Sequence, residues 1–298
     1  SDPRFGIALA RAYVLQKDKS RALTTANTAI RLYEQKLRVN PRNLEARRQL
    51  AAFSAFNEEF VDGERLLLEG LQLVGLTESQ RAELRTEMGL FSMTWAAYLA
   101  RTDPNTWQRR LELLNRALAT IPDNRLLMNR FAKLTAGEPA VIEGVVEAME
   151  RQLASGKQTA IAHWVLGTAL LRLHNLKPAE NHLRLAIAAD PQMGVAANNL
   201  AWLLAHQKQP QLDEALQLIE IAIKALPAHA EVRETRGQIL FRRGEWRQAA
   251  VDLEFALARV ADPLPVHAAL AQIYQKLGQS TLAESHQQLA SEKRLTTR

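Results

Sequence analysis

The chain has 298 residues, 47% of them hydrophobic and 23% charged, with 13 Gly, 11 Pro and no Cys. That length suits one or two globular domains or one array of repeats, and the missing cysteines exclude disulfides, thiolate metal sites and cysteine nucleophiles. No uninterrupted apolar run approaches the ~20 residues a membrane-spanning helix needs.

The net charge of +6 is uneven. Residues 1–50 carry a net +7, residues 51–150 a net −5 and residues 151–298 a net +4. A basic start before an acidic middle can steer a partner without specifying one. The absence of Cys suits a bacterial extracytoplasmic protein, so the periplasm is favoured over the cytoplasm while the compartment stays open. The chain lacks an initiator Met, a signal peptide and a lipidation signal, and Ser1 reads as a processing or artificial boundary.

Ala, Leu, Gln, Glu and Arg dominate, and no stretch alternates with period two for long, so the pattern is helical throughout. Pro and Gly fall between the apolar-periodic segments, at Pro41, Gly75, Pro104, Pro122, Pro191, Pro227 and Pro263, as stops between helices. In chain order, Leu9-Ala10 with Tyr13, then Ala22, Ala26 and Ala29, mark a helix–turn–helix unit over about 3–43. Leu50-Ala51, Phe60, Gly63, Leu67 and Gly70 mark a second over 44–76. A third, over 77–123, opens with a long helix over 78–101 and continues through Gly89, Trp107, Leu114 and Ala117. The fourth, over 124–158, is degenerate: Met128, Ala132, Val141, Val145 and Ala148 fit, but Asn129 stands where a small residue is expected.

From residue 159 the spacing becomes regular. Gly167, Ala201, Gly237 and Ala271 recur after 34, 36 and 34 positions, with the two extra residues in the turn 207–211. Twelve residues after Gly167 comes Ala179, then Leu183, Ala186 and Pro191; twelve after Gly237 comes Ala249, then Leu253 and Ala256. Small residues at such positions let two helices approach closely while the large ones fill the gaps. The units are 160–193, 194–229, 230–263 and 264–298. Relative to them Pro41 arrives seven residues late, about two helical turns, so the second helix can lengthen without rotating its apolar face.

These residues resemble the tetratricopeptide repeat family. Asn199-Leu200-Ala201 with Leu204, Leu270-Ala271 with Tyr274, the turn glycines Gly244 and Gly278, and Trp246 at the start of a second helix carry the resemblance. It implies an all-α solenoid, a right-handed superhelix of stacked antiparallel helix pairs with about eight repeats and sixteen helices, extended and degenerate over 1–158 and regular over 159–298. The last helix, over 280–294, is polar and reads as a cap, with Gln287 where other units place a large apolar residue. The first instead carries Phe5, Ile7, Leu9, Val14 and Leu15 on more than one face, so preceding chain or a partner is expected to cover it.

Catalytic motifs are missing: there is no G-x-S-x-G, no G-x-x-x-x-G-K-[ST], no H-E-x-x-H and no dinucleotide fingerprint. The seven histidines are dispersed; His174 and His182, the nearest pair, flank a turn rather than share a helical face, and structural or solvent-facing roles are expected for all seven. No enzyme activity, cofactor, metal or small-molecule substrate is expected.

By resemblance to the family, ligand-facing positions lie three before, one after and four or five after the small residue. Here these are Trp164, Thr168, Leu171 and Arg172; Asn198, Trp202, Ala205 and His206; Glu234, Gln238, Phe241 and Arg242; and Ala268, Gln272, Gln275 and Lys276. Trp and Arg are residue types that dominate binding energies, although the two Trp can equally pack between repeats. Some family members clamp a C-terminal carboxylate of a chaperone peptide. Asn199 matches one position of that clamp, but Trp164, Thr168, Glu231 and Thr235 replace its other residues, so that ligand is disfavoured.

The expected function is a non-catalytic scaffold that binds a partner protein or peptide in the groove lined by the first helices. The alternative is a soluble arm of a larger protein: envelope assembly or polysaccharide-export machinery, or the recognition segment of an enzyme. Nucleic acid, suggested by Arg38, Arg42, Arg47 and Arg48, is disfavoured because no interleaved aromatics or recognised module accompany them.

Overall fold

The computed structural model describes residues 6–103, 105–122, 124–156, 159–260 and 262–291; Phe5, Pro104 and Arg294 lie outside them. The described residues form sixteen α-helices and no strand, in two compact units, residues 1–148 and 149–298.

The first unit comprises α1 (Gly6–Leu15), α2 (Lys19–Val39), α3 (Leu44–Phe56), α4 (Phe60–Leu71), α5 (Glu78–Thr102), α6 (Trp107–Thr120), α7 (Arg125–Leu134) and α8 (Pro139–Ala154), whose last six residues fall in the second unit. Local chemistry sets several starts. Asp18 and Asn43 accept backbone N–H groups of α2 and α3, and Thr77 with Gln80 forms a capping box on α5. Helix α2 runs 21 residues against 14 in α10 (Leu176–Ala189), the two extra turns inferred from the late Pro41. One core cluster holds Tyr33, Ala46, Leu50 and Phe53; a second holds Phe60, Leu67, Leu84, Met88 and Phe91. Asn129 is exposed, and α7 turns Leu127, Met128 and Phe131 inward instead, so no small residue is needed there.

The second unit continues with α9 (Ala160–Arg172), α10, α11 (Gly194–His206), α12 (Leu212–Ala225), α13 (Ala230–Arg243), α14 (Trp246–Leu257), α15 (Leu264–Lys276) and α16 (Ser280–Ser291). These are tetratricopeptide-type helix pairs, α9 on α10 through α15 on α16. Close approach explains the small residues. A Cβ on Gly167 would stand 2.9 Å from Leu183 Cγ, and one on Gly237 2.7 Å from Leu253 Cγ, so each glycine is the notch that receives the next helix's leucine. Ala201 and Ala271 occupy the same position and are buried. Helix α16 has no buried residue.

Two kinds of turn repeat along the chain. Within five pairs the residue seven after the small one takes positive φ: Lys17 (62°), Glu58 (67°), His174 (58°), Gly244 (83°) and Gly278 (72°). The residue after it donates its N–H to the carbonyl five back, as in Asp18 to Tyr13, Glu59 to Ser54, Asn175 to Leu170, Glu245 to Leu240 and Gln279 to Tyr274, at 2.8–2.9 Å. This is the Schellman closure of a helix, which reverses the chain in three residues. Between pairs, turns over 40–43, 121–124, 190–193 and 226–229 are closed by an N–H to the carbonyl three back, at 2.9–3.1 Å. Pro41, Pro122, Pro191 and Pro227 occupy their second positions, where a preset φ favours the turn and a missing N–H costs nothing.

Candidate functional site

Helices α9, α11 and α13 line a cleft of about 610 Å³ within the second unit. It gathers Thr168, Leu171, Arg172, Asn198, Trp202, His206, Glu234 and Gln238 from among the expected positions, together with Asn199, the clamp match, and His174, Glu231 and Thr235. The period places them: each first helix buries one stripe against its own partner helix and its neighbours, so the next stripe round, at the expected offsets, is left facing out.

A hydrogen-bonded row crosses the floor. Thr168 Oγ1 donates to the Trp164 carbonyl at 2.8 Å and accepts from Asn199 Nδ2 at 2.9 Å, tying α9 to α11. Asn198 Nδ2 donates to Asn199 Oδ1 at 3.3 Å, while Asn198 Oδ1 is enclosed and has no partner. On the wall, the Trp202 indole stacks on His206 with centroids 4.3 Å apart and planes 16° apart. His206 Nδ1 lies 2.7 Å from the Trp202 carbonyl, a contact in which the ring N–H donates. Burial holds His206 below the ordinary histidine value, helped by the Arg242 charge and opposed by its bonds to Trp202 and Gln238. Opposite, burial and the Glu231 charge push the Glu234 carboxyl up, against a 3.0 Å hydrogen bond from Gln238 Nε2. The cleft therefore offers amide and carboxyl groups spaced along a row, an exposed aromatic face and charges of both signs.

The remaining expected residues lie elsewhere. Trp164 is half-buried, does not line the cleft, and has an enclosed indole N–H without a partner. Phe241 packs on the core around Leu240 and Leu253. Arg242, Gln272, Gln275 and Lys276 are exposed outside the cleft, and Ala268 is half-buried. Ala205 is fully buried and does not face a groove: one residue before His206, its Cβ falls on the inward stripe of α11.

The first unit has its own cleft of about 580 Å³ among α2, α3 and α4, with Leu50 and Phe53 on its floor and Arg38, Glu59 and Arg65 among its rim residues. Three of the four clustered arginines nearby are engaged. Arg47 is buried, donating to the Pro41 carbonyl and to Glu69 at 2.7 Å; Arg48 pairs with Glu45 and Glu83; Arg42 donates to the Val74 carbonyl.

Sequence reasoning missed two imidazole pairs. His163 Nδ1 lies 3.0 Å from His182 Nδ1, and His267 Nδ1 lies 2.9 Å from His286 Nδ1, each bridging the two helices of one repeat. The signal was available: both separations are 19 residues, and the second pair repeats the first after 104.

No protein-family model and no curated protein matches the chain. Among solved structures it is similar to MamA of MSR-1, at 20% identity with a TM-score of 0.44 over 54% of this chain and 91% of that one. It is also similar to TTC0263, a thermophilic TPR protein of Thermus thermophilus, at 23% identity with a TM-score of 0.45, covering 57% and 93%. MamA from Desulfovibrio magneticus RS-1 gives 18% identity and a TM-score of 0.45, covering 56% and 93%.

Proposed function

We propose that this array of tetratricopeptide-type helix pairs is a non-catalytic scaffold that binds a segment of a partner protein in the cleft formed by α9, α11 and α13. The observation that carries this reading is the hydrogen-bonded row Thr168–Asn199–Asn198 lining the cleft beside the exposed face of Trp202. The Thr168 and Asn199 side chains are already tied to one another, so the row is held in place before a peptide is laid along it. A flat aromatic beside such a row adds contact area at little conformational cost. Stacked helix pairs supply extended surfaces of this kind.

Site-specific photocrosslinking tests the assignment. A photoreactive residue replacing Trp202 is expected to capture a protein that the same group at Val251, exposed on α14 away from the cleft, does not capture. Equal capture from both positions would place binding elsewhere.

A further inference from the structure

The two imidazole pairs occupy one register of the repeat. In each, one ring stands four residues before the small residue, Gly167 or Ala271, and the other comes from the facing second helix. The two repeats between fill the same register differently. One places Ala197 and Leu218 there, both buried; the next places Arg233 and Asp252, ion-paired at 2.9 Å. The position thus accepts an apolar, a charged or an imidazole solution within one chain.

The imidazole solution alone depends on a proton count. Two ring nitrogens 3.0 Å apart form a hydrogen bond when one bears hydrogen and the other a lone pair. A first extra proton can be taken at a ring nitrogen outside the contact. A second puts hydrogen on both Nδ1 atoms and brings two cations face to face, which breaks the contact. Among the described residues no third His, Cys, Asp or Glu joins either pair in a group able to hold a metal ion. We infer that the pairs are acid-sensitive latches: doubly protonated, they loosen the repeats built on α9–α10 and α15–α16 while α13–α14, with Arg233 and Asp252 in that register, stay closed.

The groups around each pair set how strongly the latch resists. Burial holds His163 below the ordinary histidine value, reinforced by His182; burial likewise holds His182 down, opposed by Glu150 on the last turn of α8. Burial and His267 hold His286 down, opposed by Glu254 on α14. Glu254 accepts the Tyr274 hydroxyl, and the Tyr274 ring stacks on His286 at 5.5 Å. A histidine whose folded-state affinity for protons is depressed contributes stability that is complete above the unfolded value of 6.5 and is lost as pH falls through the folded value.

Hydrogen exchange at pH 7.5 and 5.5, corrected for intrinsic rates, tests the latch on the whole chain. Exchange in α9–α10 and α15–α16 is expected to quicken by about tenfold in acid, the equivalent of one pH unit of coupling, with no quickening in α13–α14; α11 carries the half-buried His206 and is not a control. The variants His163→Ala/His182→Leu and His267→Ala/His286→Leu, which copy the chain's own apolar solution, should each remove the acid response of their own repeat. Uniform loosening of all four repeats, or an acid response in α9–α10 or α15–α16 that survives that repeat's own variant, would overturn the inference. So would nitrogen-15 NMR of the unaltered protein, if the two rings of each pair titrated independently of one another; this second measurement needs no variant to fold.

Discussion

The Asp252 carboxylate, 1% exposed on α14, receives Arg236 of α13 in a forked contact, 2.5 Å from Nε and 2.8 Å from Nη2. Arg233 adds a third bond at 2.9 Å, and Arg236 reaches on to Glu220 of α12 at 2.8 Å, so one buried carboxylate links the two helices of a repeat and the repeat before it. Asp252→Ala leaves two guanidinium groups facing a void, although both are partly solvated. We expect a loss of about 3 kcal/mol in urea denaturation, at the lower end for a broken buried pair. The triple variant Arg233→Ala/Arg236→Leu/Asp252→Leu copies Ala197, Leu200 and Leu218 and should recover most of that loss. Failure to recover would show that the network holds more than its own repeat.

Lys17, Glu58 and His174 adopt the left-handed conformation that Gly244 and Gly278 adopt at the equivalent turn. A residue with a Cβ is held there at a cost of about 1–2 kcal/mol, which glycine avoids. His174→Gly and Glu58→Gly should therefore stabilise the protein by about 1 kcal/mol each, less the larger entropy of glycine in the unfolded chain. Gly244→Ala should destabilise by a similar amount. Thermal melts followed by circular dichroism decide the sign, and destabilisation by His174→Gly would contradict the account of the turn.

Burial and Glu231 raise the Glu234 carboxyl above its ordinary 4.5. An acid whose folded value is raised opposes folding wherever it is ionised, so the penalty grows as pH rises through 4.5 and is complete above the folded value. Glu234→Gln keeps an acceptor for Gln238 and removes the charge. Its melting temperature should exceed that of the unaltered protein by about 2 °C at pH 7.5, and the gap should close below pH 4.5. A gap independent of pH would mean that packing, not charge, governs this position.

Much of this architecture was legible in the residues because the repeat imposes steric demands that composition cannot hide. Gly167 and Gly237 are small because Leu183 and Leu253 sit where their Cβ atoms would go, and that relation survives as a fixed sixteen-residue offset. Thr168, Asn198, Trp202 and Gln238, which the family resemblance put at ligand-facing offsets, lie together along one cleft. What escaped depends on contacts rather than period. Ala205 is adjacent to an outward residue yet turns inward, Phe241 is long enough to fold onto the core, and Lys17, Glu58 and His174 take a glycine's conformation without being glycine. The imidazole pairs escaped because their members lie on separate helices, 19 residues apart, where a search for neighbours along one helical face does not look.

The proposed role comes down to whether a partner sits on Trp202 and Asn198. Take the protein captured at Trp202 and measure its dissociation constant against three chains: unaltered, Trp202→Ala/Asn198→Ala, and Val251→Ala as an outer-face control. The cleft variant should bind at least about tenfold more weakly, as loss of anchor residues does, with its helical signal unchanged and the control within about twofold. Equal affinity for all three chains would contradict the cleft as the binding surface.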